Sequence, residues 1–137
     1  MSLAKKVVNE MIVNDEFSKW LGIKVLVVDE GHCVLQMKVR KEMTNGFNIA
    51  HGGITYSLAD SALAFAANSD GIQSLSVETS INYIKKVMNG DTLIAETQEL
   101  EKQEKTAYYL VKIVNQDGIY VAEFNGKVYR TKKKWFS

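Results

Sequence analysis

Apolar residues near the start of the chain recur at the spacing of an amphipathic helix. Residues 3–13 carry them three or four positions apart, at Val7, Val8, Met11 and Ile12. Asn14 and Asp15 are residue types that cap a following helix, and Gly22 is typical of a helix end. The pattern therefore predicts a short helical segment over residues 3–21.

Strand-like patterns come next. The β-branched and apolar residues over 23–28 predict a strand, and Glu30-Gly31 predicts a turn. Apolar and polar side chains then alternate from Cys33 to Arg40, as expected for a strand with one buried face. These two strands are predicted to form an antiparallel hairpin.

The centre of the chain is its most apolar part. After a loop at 43–52, residues 53–68 are rich in Ala, Leu and Phe and predict a helix that ends near Asn68. This helix is too apolar for a protein surface, so a sheet must wrap around it. Four further strands are predicted, and their short connections predict antiparallel neighbours; they span residues 73–85, 91–103, 106–115 and 119–131.

The order of elements predicts an α+β fold in which an antiparallel sheet is wrapped around one long central helix. A chain of 137 residues fits one domain, and it contains no recognisable linker or internal repeat. We therefore expect a single domain over residues 1–137.

Composition sets limits on function. The formal net charge of +1 gives no reason to expect nucleic acid or a membrane surface as a partner. The apolar-rich stretch 54–67 is interrupted by Asp60 and is too short to cross a bilayer. Cys33 is the only cysteine, and no Cys/His set has zinc spacing, so no disulfide, metal or cofactor is expected. With no secretory signal recognisable, the sequence favours a cytoplasmic protein.

Asp60 is the one charged residue of the apolar central helix. No Lys or Arg occurs anywhere from Glu42 to Ile84. A carboxylate that is buried without a cation is costly or has a raised pKa, and such a group is a candidate catalytic residue. The alternative is that Asp60 faces solvent or is satisfied by hydrogen bonds, and the helix alone does not decide between these.

His51-Gly52-Gly53 stands where the central helix begins. Two glycines let the backbone approach a ligand closely, and the free N–H groups of a helix N-terminus favour negative charge. These are the features of an oxyanion hole for a tetrahedral intermediate, although a plain glycine-rich turn is the commoner role. The amide of Asn45 can hold a water or an acyl oxygen, while Asn45-Gly46 is more commonly a turn.

These residues form one spaced pattern. Five residues separate Asn45 from His51-Gly52-Gly53, and six separate that triplet from Asp60-Ser61-Ala62. Further matching segments are Ser80-Ile81-Asn82-Tyr83 and Gly90-Asp91-Thr92-Leu93. Over about residues 30–131 the chain resembles the hotdog-fold thioesterases, in particular the phenylacetic-acid-degradation type of the hydroxybenzoyl-CoA thioesterase superfamily. The resemblance implies a hotdog fold, hydrolysis of acyl-CoA thioesters, and a homodimer or homotetramer with sites between two subunits.

The resemblance also implies roles by position. Asp60 corresponds to the catalytic carboxylate, acting as general base or nucleophile. Asn45 corresponds to the residue that positions the water or the acyl group, and Gly52 to the residue whose backbone N–H polarises the thioester carbonyl. His51 corresponds to a residue that supports this loop. Ser76 corresponds to a hydroxyl position that assists the water in some members.

Strand parity bears on Ser76. Within the predicted strand 73–85 it places the side chain of Ser76 on the face opposite to Leu75, Val77 and Ile81.

Other residues are candidates for substrate binding. Lys85, Lys86 and Arg130 can attract coenzyme A phosphates, although such residues are more often solvated strand ends. Contact with the acyl part of the substrate is expected from Gly53, Phe47 and Tyr56. In one departure, the family often has a proline after the aromatic strand residue, where this chain has Tyr83-Ile84, and this difference would alter the coenzyme A groove.

Two other functions are compatible with the same fold. A hydratase or dehydratase would pair a His with a carboxylate to move protons at the α-carbon, and only His51 is available here. A non-catalytic module that binds acyl-CoA or acyl-carrier protein would need no buried base. The sequence leaves the acyl group open between aromatic and medium-chain acids.

Overall fold

Two short helices precede the sheet and a long one crosses it. The computed structural model describes residues 1–137, and its helices are α1 (Leu3–Asn14), α2 (Glu16–Leu21) and α3 (Gly52–Asn68). Asp15 caps α2 by accepting a hydrogen bond from the Ser18 N–H, and Gly22 ends it with a φ of 75°, which glycine adopts without strain. The predicted helices are confirmed, and an additional 3₁₀ turn lies at Lys41–Met43.

Six antiparallel strands form one sheet. They are β1 (Lys24–Asp29), β2 (His32–Lys38), β3 (Ile72–Tyr83), β4 (Thr92–Lys102), β5 (Thr106–Val114) and β6 (Tyr120–Lys134). Their order across the sheet is β1-β2-β4-β5-β6-β3, and every adjacent pair is antiparallel. The predicted β1–β2 hairpin and the β4–β5–β6 succession are confirmed.

The expectation that β3 and β4 are neighbours is wrong. β3 lies at one edge of the sheet, whereas β4 lies inside it between β2 and β5. The connection over 84–91 reaches about 26 Å when extended, and three strand spacings measure only about 14 Å, so a short connection does not require adjacency. Backbone hydrogen bonds from Ala50 to Val87 (2.7 Å) and from Gly90 to Val39 (2.8 Å) attach this connection to the segments around it.

Helix α3 is the centre of the hydrophobic core. Its Leu58, Leu63 and Phe65 side chains have no exposed surface and pack against the inner face of the curved sheet. Gly126 of β6 makes room for this packing, because a Cβ there would lie 2.5 Å from Cδ2 of Leu63. The predicted α+β architecture, a sheet wrapped around one helix, is confirmed. None of the helices combines the length and the hydropathy needed to cross a bilayer.

Candidate active site

The loop before α3 is closed by the side chain of Asn45. Its Oδ1 accepts hydrogen bonds from the backbone N–H groups of Phe47 at 2.9 Å and Ile49 at 3.4 Å. The backbone N–H of Asn45 donates to the Ile49 carbonyl at 2.8 Å. Because the backbone occupies the oxygen, the groups left free are the two Nδ2–H donors. Asn45 is therefore held as a hydrogen-bond donor.

The N-terminus of α3 has a free donor at Gly52. His51 caps the helix, since its Nδ1 accepts from the Gly53 N–H at 3.0 Å and its carbonyl accepts from Ile54 at 2.8 Å. The N–H of Gly52 makes no hydrogen bond within the chain. The positive end of the helix dipole thus has a free amide at Gly52. The resemblance assigned the polarising N–H to Gly52, and the cap occupies the amide of the neighbouring Gly53.

Tyr83 lies against this donor, a role that the sequence analysis did not assign. Its hydroxyl donates to the Gly52 carbonyl at 2.8 Å, and a Cβ on Gly52 would lie 3.0 Å from the Tyr83 Oη. Burial, and secondarily the charge of Tyr56, raise the pKa of Tyr83, so this phenol stays protonated as a donor. Its place in the motif at 80–83 was visible, but a strand pattern does not reveal contact with a distant glycine.

These donors face one open cavity. Asn45, Gly52, Thr55 and Tyr83 line a space of about 340 Å³. The same cavity is lined by Ile49, Ala50, Ile84, Lys85, Lys86 and Val87. Both lysines are exposed and neither belongs to an ion pair. Hydrogen-bond donors, an apolar wall and two free cations therefore surround one space, which we call the donor half-site.

Asp60 lies two turns further along α3 and is half-buried. No ion pair involves its carboxylate, and no hydrogen bond contributes to its pKa. Burial raises the pKa of Asp60, and the nearby charge of Asp15 raises it further. The carboxylate is therefore partly buried without a cation, and it is neither fully exposed nor satisfied by hydrogen bonds. A carboxylate in this state is a stronger base than a solvated one.

Ser76 is an exposed residue of β3, the strand that packs against α3. The Ser74 N–H donates to Oδ1 of Asn68 at 2.8 Å, and the hydroxyls of Thr79 and Tyr56 are hydrogen-bonded. These two contacts attach the strand to the helix on either side of Asp60 and Ser76. Asp60 and Ser76 form what we call the carboxylate half-site.

A β-bulge changes the parity of β3. The register with β6 shifts between Ser76 and Glu78, which adds one residue to the strand at Val77. Parity counted without this residue placed Ser76 on the face opposite to Ile81. With the bulge, the two side chains lie on the same, helix-facing side. An alternation pattern cannot detect the bulge because Leu75, Val77 and Ile81 stand at even spacings, as they would in an unbroken strand.

The two half-sites are separated along the helix. Asp60 follows the helix start at Gly52 by eight positions, which corresponds to a rise of about 12 Å. A reacting carbonyl must lie within about 3 Å of both its oxyanion donor and its attacking group. Within one chain, the donor of Gly52 and the carboxylate of Asp60 are therefore too far apart to act on one carbonyl.

Two aromatic candidates lie outside both half-sites. Phe47 is 84% exposed at the tip of the loop. Tyr56 packs edge-on against Phe124 with ring centroids 5.2 Å apart, while its hydroxyl contacts Thr79. Tyr56 thus belongs to the packing between helix and sheet, and Phe47 is the one left free to contact a ligand or another chain.

Arg130 lies far from Lys85 and Lys86, with which the sequence analysis grouped it. Its guanidinium donates to Asp70 at 2.7 Å and is largely buried. Along the β3–β6 register, Arg130 lies opposite Ser74, whereas Tyr83 lies opposite Ala122. Eight residues of β6 separate these points, a distance of about 27 Å.

Cys33 lies in the hydrophobic core, outside both half-sites. Cys33 has no exposed surface, its thiol donates to the Ala62 carbonyl, and burial raises its pKa to about 12. A thiol in this state is not a nucleophile. No group of three or more His, Cys, Asp or Glu side chains is arranged to hold a metal ion.

Comparison with known proteins identifies the family of this chain. The family model of the thioesterase superfamily matches residues 47–122. The acyl-coenzyme A thioesterase PaaI of Escherichia coli is 40% identical over 120 residues, which cover 88% of this chain and 86% of the relative. The solved structure of the E. coli PaaI protein superposes with a TM-score of 0.94 at 37% identity and covers 96% of both chains. A Streptococcus pneumoniae thioesterase solved with coenzyme A has a TM-score of 0.79 at 26% identity, over 82% of this chain and 88% of the other. The chain therefore belongs to the thioesterase superfamily and is a hotdog-fold thioesterase of the phenylacetic-acid-degradation type, as its motifs predicted.

Proposed function

We propose that this thioesterase hydrolyses acyl-CoA thioesters in a site that combines the donor half-site of one copy with the carboxylate half-site of another. The observation that carries the proposal is the free N–H of Gly52, a residue that lines one cavity together with Asn45 and two unpaired lysines. The E. coli relative is named an acyl-coenzyme A thioesterase, and the S. pneumoniae relative was solved with coenzyme A.

The donor half-site would stabilise the oxyanion. The thioester carbonyl oxygen accepts from the Gly52 N–H and from Nδ2 of Asn45. Both donors are preorganised, because His51 fixes the helix start and the loop backbone occupies Oδ1 of Asn45. Donors fixed in advance lower the barrier without reorganisation as charge develops. Tyr83 supports this arrangement by holding the carbonyl side of Gly52.

Asp60 would supply the base. It takes a proton from water as the water oxygen bonds to the acyl carbon, and the tetrahedral oxyanion then collapses as the C–S bond breaks. The proton passes to the leaving thiolate, so acid and coenzyme A leave and Asp60 is regenerated. Ser76, on the helix-facing side of β3, hydrogen-bonds the same water. Direct attack by Asp60 would instead form a mixed anhydride that water opens, and both routes require the carboxylate.

A second copy completes the site. β3 is a 12-residue edge strand whose outer side has no partner within the chain, and its Leu75 and Val77 are 67% and 58% exposed. Unpaired edges of this kind pair with other strands. Antiparallel pairing of two β3 strands joins the sheets of two copies and brings the carboxylate half-site of one towards the partner. The homodimer is thus the smallest assembly with a complete site, and a homotetramer would contain two such dimers.

Lys85 and Lys86 would bind the phosphates of coenzyme A. They are exposed, unpaired and on the wall of the cavity that holds Gly52. The acyl chain, aromatic or medium-length, then lies on the far side of the carbonyl, towards the apolar residues between the two copies.

Thiol release from a panel of aromatic and medium-chain acyl-CoA substrates tests the function. We expect turnover by the wild type and a loss of about 10²–10⁴-fold in Asp60→Asn. The matched control is Asp117→Asn, which makes the same change in an exposed hairpin turn and should keep the wild-type rate. Equal rates in Asp60→Asn and the wild type would reject the mechanism, and no thiol release by the wild type on any substrate would reject the function.

Mixed dimers test the shared site. Asp60→Asn and Asn45→Ala are each expected to be inactive. After the two variants exchange subunits, half of the dimers contain one intact site, so activity should return to about a quarter of the wild-type rate. If donor and base acted within one chain, mixing would restore nothing. A monomer by light scattering at micromolar concentration would also contradict the shared site.

The coenzyme A assignment has its own test. Lys85→Gln with Lys86→Gln should raise KM for acyl-CoA by about thirtyfold, since two phosphate contacts of on the order of 1 kcal/mol each are lost. KM for the matching acyl-pantetheine, which lacks the phosphates of coenzyme A, should stay unchanged. Lys132→Gln is the control at a distant strand end. An equal rise for both substrates would show that the lysines act on something other than phosphate.

A further inference from the structure

A chain of hydrogen bonds joins the N-terminal helices to the helix that carries Asp60. The hydroxyl of Ser18 lies 2.6 Å from Oδ2 of Asp15 and 2.8 Å from the hydroxyl of Ser61. Ser18 is almost completely buried, with 1% of its surface exposed. Ser61 follows Asp60 directly in α3. The chain thus runs from the cap of α2 to the residue next to the proposed base.

The direction of these hydrogen bonds is determined by their chemistry. An ionised carboxylate only accepts, so Ser18 donates its hydroxyl proton to Asp15. The Ser18 oxygen can then only accept from Ser61, which donates. Asp15 also accepts from the Ser18 N–H at 3.0 Å, and this second bond fixes the position of the carboxylate. Its charge is therefore held in one place against α3.

We propose that Asp15 is a positioning residue of the catalytic site, which places a second negative charge beside Asp60 by way of Ser18 and Ser61. The inference rests on the proposed role of Asp60. It makes the helical segment 3–21, which lies outside the residues matched by the family model, part of the machinery of the reaction. Asp15 itself is not assigned a contact with the substrate in this arrangement.

No positive charge near Asp60 compensates the effect of the Asp15 charge. Asp15 is the one group whose charge alters the pKa of Asp60, and it acts in the same direction as burial. On the elements packed against α3, the other titratable groups are paired, bonded or exposed. Glu16 pairs with Lys19, Tyr109 bonds to Glu99, and Lys6, Glu10 and Glu78 are exposed. No cation of this set offsets the charge of Asp15.

The expected consequence is a base that takes up protons at higher pH than it would alone. A like charge nearby disfavours ionisation, so removal of the Asp15 charge should lower the pKa of Asp60. The acid limb of the pH profile of thiol release should then move to lower pH. At a pH just below the wild-type midpoint, the variant should keep a larger fraction of its plateau rate. A purely structural contact between α2 and α3 would leave this midpoint in place.

The test is Asp15→Asn, measured in two ways. Asn is as good a helix cap as Asp, so the variant removes the charge and keeps the cap. The carboxyl carbon of Asp60 is followed by ¹³C NMR against pH in aspartate-labelled protein, with the Asp60→Asn spectrum as assignment. The pH profile of kcat/KM is recorded beside it. We expect both midpoints to fall together.

Glu16→Gln is the matched control. It removes one charge from the next residue, but Glu16 is exposed and paired with Lys19, so neither midpoint should move. An Asp60 midpoint that is the same in the wild type and in Asp15→Asn overturns the inference, as does an equal shift in Glu16→Gln. The NMR titration needs no turnover, so absence of thiol release in the wild type would reject the proposed function and still decide this point.

Discussion

Asp60 and Asp70 stand ten residues apart, on α3 and just after it, and the protein treats them in opposite ways. Burial alone would raise the pKa of Asp70, but hydrogen bonds from Arg130, the Ile72 N–H and Lys102 hold it below its ordinary value. The three donors lie 2.7, 3.1 and 3.2 Å from its carboxylate oxygens. Asp60 has no such partner, and its pKa is raised.

The difference separates a structural carboxylate from the one that we propose to be catalytic. Asp70 ties the end of α3 to β4 and β6, and its charge is neutralised where it stands. The charge of Asp60 has no partner in the fold, and in the proposed mechanism it is neutralised when Asp60 takes a proton from water. An unpaired, partly buried carboxylate lowers stability. Its presence at position 60, when Asp70 ten residues away is fully paired, is what a functional role for Asp60 predicts.

The largest expected effect on stability comes from breaking the Asp70 network. Asp70→Asn leaves the largely buried Arg130 guanidinium without its counter-charge, and loss of one partner from a buried pair costs about 3 kcal/mol. We expect this decrease in the free energy of unfolding by urea denaturation. Thiol release at 25 °C should stay near the wild-type rate. Wild-type stability in the variant, or catalysis lost as in Asp60→Asn, would erase the distinction between the two aspartates.

The contrast between the two aspartates also shows which features could be predicted from the sequence. Asp60 was recognisable because no Lys or Arg occurs from 42 to 84, which is a local observation. The partners of Asp70 lie 32 and 60 residues away, so its neutralisation depends on the tertiary fold. For the same reason the strands were predictable one by one, while the position of β3 beside β6 was not.

The site shows the same limit. The motif located Asn45, Gly52 and Asp60, but whether Gly52 or Gly53 keeps a free N–H depends on the ring of His51. The face of Ser76 depends on a bulge in the β3–β6 register. The distance between the two half-sites follows from helix geometry, and it could have been calculated from the sequence once both ends were assigned to one helix.

The next largest expected effect on stability is an increase, in contrast to the decrease expected for Asp70→Asn. Asp60→Asn replaces a half-buried, unpartnered carboxylate with a neutral group of the same shape, so it should stabilise the fold. We expect a gain of about 1 kcal/mol at pH 7, which corresponds to a rise in Tm of roughly 4 °C for a chain of this size. Calorimetry measures it. A lower Tm than the wild type would mean that Asp60 makes a stabilising contact and is not held at a cost.

The pH dependence of stability should separate the two aspartates further. The pKa of Asp60 is raised in the fold, so its cost is present at neutral pH and disappears as pH falls through that pKa. The pKa of Asp70 is lowered, so its contribution is present above the ordinary value near 3.8 and is lost as pH falls towards the folded value. Urea denaturation between pH 7 and pH 3 should show the gain in Asp60→Asn vanish first. Parallel curves for the two variants would contradict the opposite signs.

The smallest effect concerns the division of labour around Asp70. Lys102 lies 3.2 Å from its carboxylate and is 31% exposed, whereas Arg130 lies at 2.7 Å and is 12% exposed. Solvent weakens an exposed pair, so Lys102→Gln should cost about 0.5 kcal/mol and lose that effect in high salt, where exposed charges are screened. Lys105→Gln, at an exposed position in no ion pair, is the control and should change nothing. A cost in Lys102→Gln as large as that in Asp70→Asn, and insensitive to salt, would make the lysine the principal partner. Arg130 would then be left without its role in neutralising Asp70, and its buried guanidinium would need another explanation.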